Sequence, residues 1–330
     1  MISNSETYAF SDDRSHDYDI FINSIGYEQR ASALVKSQRI NAGRFVSLSF
    51  EDHEVLSFAE NKKVMDGVSA IIVSDASDFF RERFRAMVAD ISASAGRPIT
   101  VGIDVSSMNR TMAALSLSTM FACSDYINQF EILYVPAQFS EPTLTFSPID
   151  QVGAVTPELS GFDSEPALPV ALILGLGYEY GTAVGLINQL EPSFTLCLRA
   201  TGGDVKYDGA VRDANLQFDF NPYNVEVSEY ELFDLRAAYN HIENIVYSLV
   251  PSYRVVMVPM GPKILAALLV LIALKYFGKV AVWRVARPGQ ATPVAPSSSY
   301  VVARVDTRDA MQEEDLDSLK QMIEMGKLVT

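Results

Sequence analysis

The chain has 330 residues, 48% hydrophobic and 20% charged, which is long enough for two domains and too apolar for a disordered or fibrous protein. Its formal net charge of -15 argues against broad, nonspecific binding to nucleic-acid backbones, which requires exposed Lys and Arg. Cys123 and Cys197 lie in apolar runs, and neither they nor His16, His53 and His241 have metal-ligand spacing, so no metal site and no cofactor is assigned.

The polar, acidic start MISNSETYAFSDDRSHDYD lacks the basic-then-apolar plan of a secretory signal, and a cytoplasmic, soluble protein with reduced thiols is expected. Strand-length, mostly apolar runs follow: DIFINSI, RFVSLSF, SAIIVSD, ITVGIDV and FEILYVP. Between them lie the helix-like QRASALVKSQ, FAENKKVMD, DFFRERFRAMVADISAS and NRTMAALSLSTMFACS. Strands alternating with helices predict βαβ units and a parallel sheet covered on both faces. This first half spans residues 1–139, and the proline-rich stretch 140–168 reads as a linker or irregular crossover.

The second half, 169–290, repeats the plan: ALILGL, a helix over GTAVGLINQL, then FTLCLRA. An insertion over about 201–224, with Asp204, Lys206 and Asp208, predicts a β-hairpin or loop. The helix ELFDLRAAYNHIENIVYSLV, the strand YRVVMVP, the helix KILAALLVLIALKYF and the strand VAVWRVA complete it. The uncharged run from Ile264 to Leu274 has eleven residues, where a bilayer span takes about 20, so a buried helix is expected and a membrane is not. Residues 291–330 read as a tail with an acidic helix, solvated or docked.

The fold class is therefore α/β, with two tandem Rossmann-like halves, mostly parallel sheets and an internal duplication. Gly-Tyr-Glu occurs twice after an apolar strand, as Gly26-Tyr27-Glu28 and Gly177-Tyr178-Glu179. Glu28 precedes Arg110 by 82 residues, and Glu179 precedes Lys263 by 84. Both cations open a helix-like stretch in which Ala113, Ala114 and Leu115 match Ala266, Ala267 and Leu268.

Ligands of open α/β sheets bind beyond the carboxyl ends of the strands, where strand order reverses, and the repeated landmarks fall at strand ends. Glu28 and Asp104 are candidate acid, base or nucleophile groups. Glu28 and Glu179 also suit helix N-termini without any ligand. Tyr27 and Tyr178 can stack on a base or pack over the adjacent helix. In DVSSMNR, Asp104, Ser106, Ser107, Asn109 and Arg110 bring hydroxyls, an amide and a guanidinium to a helix start, a composition suited to a phosphate; the alternative is an Asp/Ser N-cap with Arg110 solvated. The matching PMGPK offers Gly261 for close backbone approach and Lys263 as a point charge. Gly175, Gly177 and Gly181 have GxGxxxG spacing, not the GxGxxG of a dinucleotide turn, and the chain has no GxxxxGK[ST] or GxSxG.

Three functions follow from these features. The first is a module binding a nucleotide or phosphorylated small molecule in a cleft between two pseudo-symmetric halves, as a sensor would. The second is a nucleotide- or nucleoside-processing hydrolase or transferase using Glu28 or Asp104. The third is a noncatalytic scaffold docking a protein partner or a second copy through its acidic surface and C-terminal helix.

Overall fold

The structure, a computed structural model, describes residues 1–50, 54–141, 148–179, 181–215, 225–286, 291–308 and 310–325. It is a mixed α/β chain with two multi-strand, mostly parallel sheets, one in each of two units: Met1–Gln138 with Ala291–Thr330, and Phe139–Gln290. His53, Pro142 and the end of the expected insertion lie outside the described residues.

The first unit runs β1 (Ile2–Ala9), β2 (His16–Ile25), a 3-10 turn (Gln29–Ser32) into α1 (Ala33–Lys36), β3 (Ile40–Ser49), α2 (Phe58–Gly67) and β4 (Ile71–Val73). It continues through α3 (Ala76–Asp78), a π turn (Phe79–Arg83), α4 (Phe84–Ala95), β5 (Thr100–Asp104), α5 (Arg110–Ala122) and β6 (Gln129–Tyr134). The second unit runs β7 (Gln151–Ala154), a 3-10 turn (Pro157–Leu159), β8 (Val170–Leu176), α6 (Thr182–Leu190), β9 (Phe194–Thr201) and α7 (Val205–Ala214). It ends with β10 (Glu226–Glu231), α8 (Leu235–Leu249), β11 (Arg254–Val258), α9 (Lys263–Lys275) and β12 (Val280–Ala286). β13 (Ser299–Asp306) and α10 (Glu313–Met325) then return to the first unit.

The first sheet has the order β1-β13-β6-β5-β2-β3-β4 and the second β10-β9-β8-β11-β12-β7. β6, β5, β2, β3 and β4 are mutually parallel, as are β10, β9, β8, β11 and β12. In each set the second and third strands lie to one side of the first, and the fourth and fifth lie to the other. Strand order thus reverses between β2 and β5 in one unit, and between β8 and β11 in the other. These strand ends carry the Gly-Tyr-Glu and DVSSMNR or PMGPK segments.

The differences from the sequence reading lie at the sheet margins and in the insertion. The polar N-terminus forms β1, antiparallel to β13, and β13 in turn pairs antiparallel with β6, so residues expected as a tail complete a sheet. Within the expected linker, Gln151–Ala154 pairs antiparallel with β12. The insertion holds a helix in place of a hairpin: Gly202, at φ 87, makes the turn, and the Asp204 carboxylate accepts from Lys206 N–H to cap α7. β10, with the polar sequence EVSEYE, was hidden by its charges, and α8 begins only at Leu235, where Asp234 accepts from Ala237 N–H.

The central strands are buried on both faces, as parallel sheets require. α5 and α9 each have 13 residues, open on a cation and bury every residue from Met112 to Ala122 and from Ile264 to Leu274 respectively. The first is covered in part by α10, which sets Leu319 and Ile323 inward, so its acidic helix packs on its own unit. The second is covered by α8, by β12 and by the Pro157–Leu159 turn. Both cysteines are free and buried, and burial pushes each thiol up to about 12. Among the described residues no helix is long and apolar enough to cross a membrane.

Leu269 has no exposed surface, so Leu269→Asp sets an unpaired carboxylate in the second core. Urea unfolding is expected to show a loss of at least about 3 kcal/mol. A variant as stable as the parent would show that α9 is an external contact surface.

Candidate functional site

In the first unit the chain leaves β2 at a turn made of Gly26, Tyr27 and Glu28. Gly26 is buried, and a Cβ there would lie 3.1 Å from Ser107 Oγ and 3.4 Å from the Phe50 ring. The glycine thus lets the turn rest on the loop between β5 and α5. Because the carbonyls of the turn have left the sheet, they need other donors. Asn61, 2% exposed on α2, supplies them: its Nδ2 donates to Gly26 O and to Glu28 O, both at 2.8 Å. Ser57 N–H donates to Tyr27 O at 3.2 Å, and Ser32 Oγ donates to Asn61 Oδ1 at 2.7 Å, fixing the amide.

Glu28 stands at the N-cap position of the 3-10 turn, yet its side chain makes no capping bond. It turns inward to Arg30, whose Nε lies 2.6 Å from Glu28 Oε2, with the two side chains 6% and 7% exposed. Arg30 also donates to Val135 O at 3.2 Å, and its guanidinium lies over the Tyr134 ring, 5.9 Å from the centroid. Burial works against the guanidinium charge, but Glu28 outweighs it and holds Arg30 above its ordinary range. Burial likewise raises the Tyr134 phenol, which stays neutral. The pair ties the first turn to the end of β6.

Asp104 ends β5 and is 2% exposed. It accepts from Ser106 N–H at 2.9 Å and from the Ser106 hydroxyl, while Ser106 Oγ accepts from Val135 N–H at 2.7 Å. A carboxylate and a hydroxyl thus join the ends of β5 and β6. Ser107 is buried against Gly26. The helix cap expected from Asp or Ser is made instead by Asn109, which accepts from Met112 N–H at 2.8 Å. Arg110, half-buried, is the first residue of α5 at the point of strand reversal. Tyr27 is half-buried, and burial raises its phenol.

The second unit repeats this turn and closes it differently. Asn215, 3% exposed at the end of α7, donates to Gly177 O at 2.9 Å and to Val211 O at 2.8 Å. Thr182 N–H donates to Glu179 O at 3.0 Å, as Ala31 N–H donates to Glu28 O at 3.1 Å. No cation follows the glutamate here, because Gly181, at φ 75, stands two residues on, where Arg30 follows Glu28. Glu179 Oε1 accepts from Gly261 N–H at 3.3 Å, next to the start of α9. A Cβ at Gly177 would lie 2.6 Å from Gly261 Cα, and one at Gly261, at φ 75, would lie 2.6 Å from Leu176 O. These glycines bring backbone against backbone at the head of α9. Lys263 opens α9, half-buried. Tyr178 stacks on Tyr207 of α7, with centroids 5.7 Å apart and planes 9° from parallel, so it packs over the neighbouring helix; burial raises its phenol.

Sequence reasoning found the turns and helix starts but missed Arg30, Tyr134, Asn61 and Asn215. The asparagines follow their glycines by 35 and 38 residues, Asn61 within α2 and Asn215 just after α7, a recurrence that is visible only once their partners are known. Among the described residues no cluster of His, Cys, Asp and Glu could hold a metal ion. No protein-family model and no curated protein matches the chain.

The Glu28–Arg30 pair gives a sharp expectation. Glu28→Gln or Arg30→Met alone strands a buried charge and is expected to cost about 3–5 kcal/mol in urea unfolding. The double variant is expected to cost clearly less than the two together. Additive losses would show that the two groups do not depend on each other.

Proposed function

We propose that the protein is a binding module for a nucleotide or another phosphorylated small molecule, received beyond the β2 and β5 strand ends of the first unit. The single observation that carries this reading is Arg110 at the start of α5, where strand order reverses, beside a Gly-Tyr-Glu turn whose carbonyls are all held from α2. A helix start favours an anion through its N–H groups and dipole, and a guanidinium adds charge-assisted hydrogen bonds. The crevice at a strand-order reversal is the usual ligand position of open α/β sheets.

We read the two units as Rossmann-like halves descended from one by duplication. Four features support this: a common order of parallel strands, a Gly-Tyr-Glu turn after the first, a buried asparagine on that glycine's carbonyl, and a 13-residue buried helix opening on Arg110 or Lys263. The burial of Glu28 and Asp104 at 5% and 2% exposure, each engaged by neighbouring donors, favours binding over acid-base catalysis by these groups. A scaffold reading draws less support, since α10 already spends Leu319 and Ile323 on its own unit.

Arg110→Gln tests the proposal against a panel of nucleotides, with affinity measured by calorimetry. A charge-assisted hydrogen bond is worth about 1.5–3 kcal/mol, so affinity is expected to fall by about 10- to 150-fold. Stability is expected to change by about 0.5 kcal/mol. Wild-type protein that binds no nucleotide, or a variant that binds as well as wild type, would contradict the reading.

A further inference from the structure

At the end of α5 away from Arg110, the first unit holds a cavity of about 330 Å³, within the roughly 300–1,000 Å³ of small-molecule sites. It lies between α4 with its preceding π turn, the last turn of α5, and α10. Small side chains leave the space open: Ala86 and Ala89 on α4, and Ala122 on α5. Phe80, Tyr126 and Ile323 complete its apolar lining.

One deeply buried group in this lining is polar. Thr119 is 2% exposed and borders the cavity. Ser116, on the same helix, donates to Met112 O at 2.8 Å, whereas the Thr119 hydroxyl has no hydrogen-bond partner among the described residues. A hydroxyl so buried calls for a partner, and the cavity has room for one. The charges at the edge are engaged with each other: Arg85 donates to Ala122 O at 2.8 Å and to Asp125 Oδ2 at 3.2 Å, and Lys320 reaches the same Asp125 oxygen at 3.3 Å. Around the cavity Arg81, Arg85 and Lys320 are matched by Glu82, Glu324 and Asp125, so no net charge selects an ion.

From this lining we infer that the cavity is a binding site for a small uncharged ring compound carrying one hydrogen-bonding group. The ring lies among the alanines and Phe80, and the polar group pairs with the Thr119 hydroxyl. Because Ile323 of α10 borders the same space and, with Leu319, anchors that helix, an occupant joins α5 to α10 and fastens the helix to its unit. The site shares no residue with the β2 and β5 strand ends and stands apart from the phosphate reading.

The isosteres p-cresol and p-xylene differ by a hydroxyl in place of a methyl, so together they probe the ring and the polar group separately. In NMR titrations of the full chain, p-cresol is expected to shift the methyl signals of Thr119, Ala122 and Ile323 along one saturating curve. Thr119→Val keeps the side-chain shape but removes the hydroxyl; it is expected to weaken p-cresol by about 2- to 12-fold and to leave p-xylene within about twofold. Ala89→Leu fills the cavity with a good helix former and is expected to abolish the saturable shifts with both probes. Saturating p-cresol is expected to slow alkylation by iodoacetamide at Cys123, which borders the cavity, and to leave Cys197 of the second unit unchanged. Wild-type methyls without a saturable response to p-cresol, undiminished binding in Ala89→Leu, an equal loss of both probes in Thr119→Val, or Cys123 alkylated as fast with p-cresol as without it would overturn the inference. None of these results would touch phosphate binding that needs Arg110.

Discussion

A buried turn at the end of a parallel strand cannot leave its carbonyls without donors, and this requirement organises both units. Strand hydrogen bonds stop at Ile25 and Leu176, and the helical bonds begin only with Ala31 and Thr182. Gly26 and Gly177 between them are buried, each against a neighbouring loop. A side-chain amide on the helix after the second strand solves the problem in each case, with Asn61 in one unit and Asn215 in the other. The amide suits the task because one NH2 carries two donors and no charge, so it serves two carbonyls without an ion's desolvation cost. Once it is in place, the direction of the turn, the seat of Gly-Tyr-Glu and the approach of the fourth strand's loop are all set.

From this common frame the units diverge by the fate of one carboxylate. Glu28 finds Arg30 two residues on, and the pair, with Tyr134 and Val135 O, is drawn into the core at the end of β6. Such a pair adds little net stability against an apolar alternative, but either half alone is costly, so it fixes geometry more than it adds energy. Glu179 has Gly181 in place of an arginine and turns to the Gly261 N–H at the head of α9. A carboxylate of the protein thus takes one of the donors at that helix start in the second unit. In the first, the glutamate is withdrawn onto Arg30, while Arg110 stands at the head of α5. Both helix starts have a donor taken by the protein, Met112 N–H by Asn109 in the first unit; the first is favoured for binding by the planar fork of Arg110, which matches a phosphate better than the point charge of Lys263.

Much of the scaffold was legible because its signals are local. Apolar β-branched runs gave the ten parallel strands except β10, whose Glu226, Glu229 and Glu231 mask an edge strand that needs cover on only part of its surface. The uniform apolarity of Ile264 to Leu274 gave a buried helix. Long-range pairing was not legible: β1 and β13 are nearly 300 residues apart in the chain and pair with each other, while β7 hides in a proline-rich segment. α7 was misread because Gly202, Gly203 and Asp204 suit a hairpin as well as a helix start, and only the Asp204 cap distinguishes them. At the site, Gly26, Glu28, Ser107 and Arg110 were marked by their positions at strand ends. Arg30 and Asn61 were not, because a buried polar residue has no mark in sequence until its partners are known.

An anion held at the β2 and β5 strand ends of the first unit, and not at their counterparts in the second, would leave a selective mark on the backbone amides. Backbone amide NMR during titration with inorganic phosphate reads that mark directly. The amides of Gly26 to Glu28 and of Ser107 to Thr111 should shift together along one saturating curve, while those of Gly177 to Glu179 and Gly261 to Ile264 stay fixed. Shifts confined to the second group, or no saturable shift at either, would contradict the binding reading.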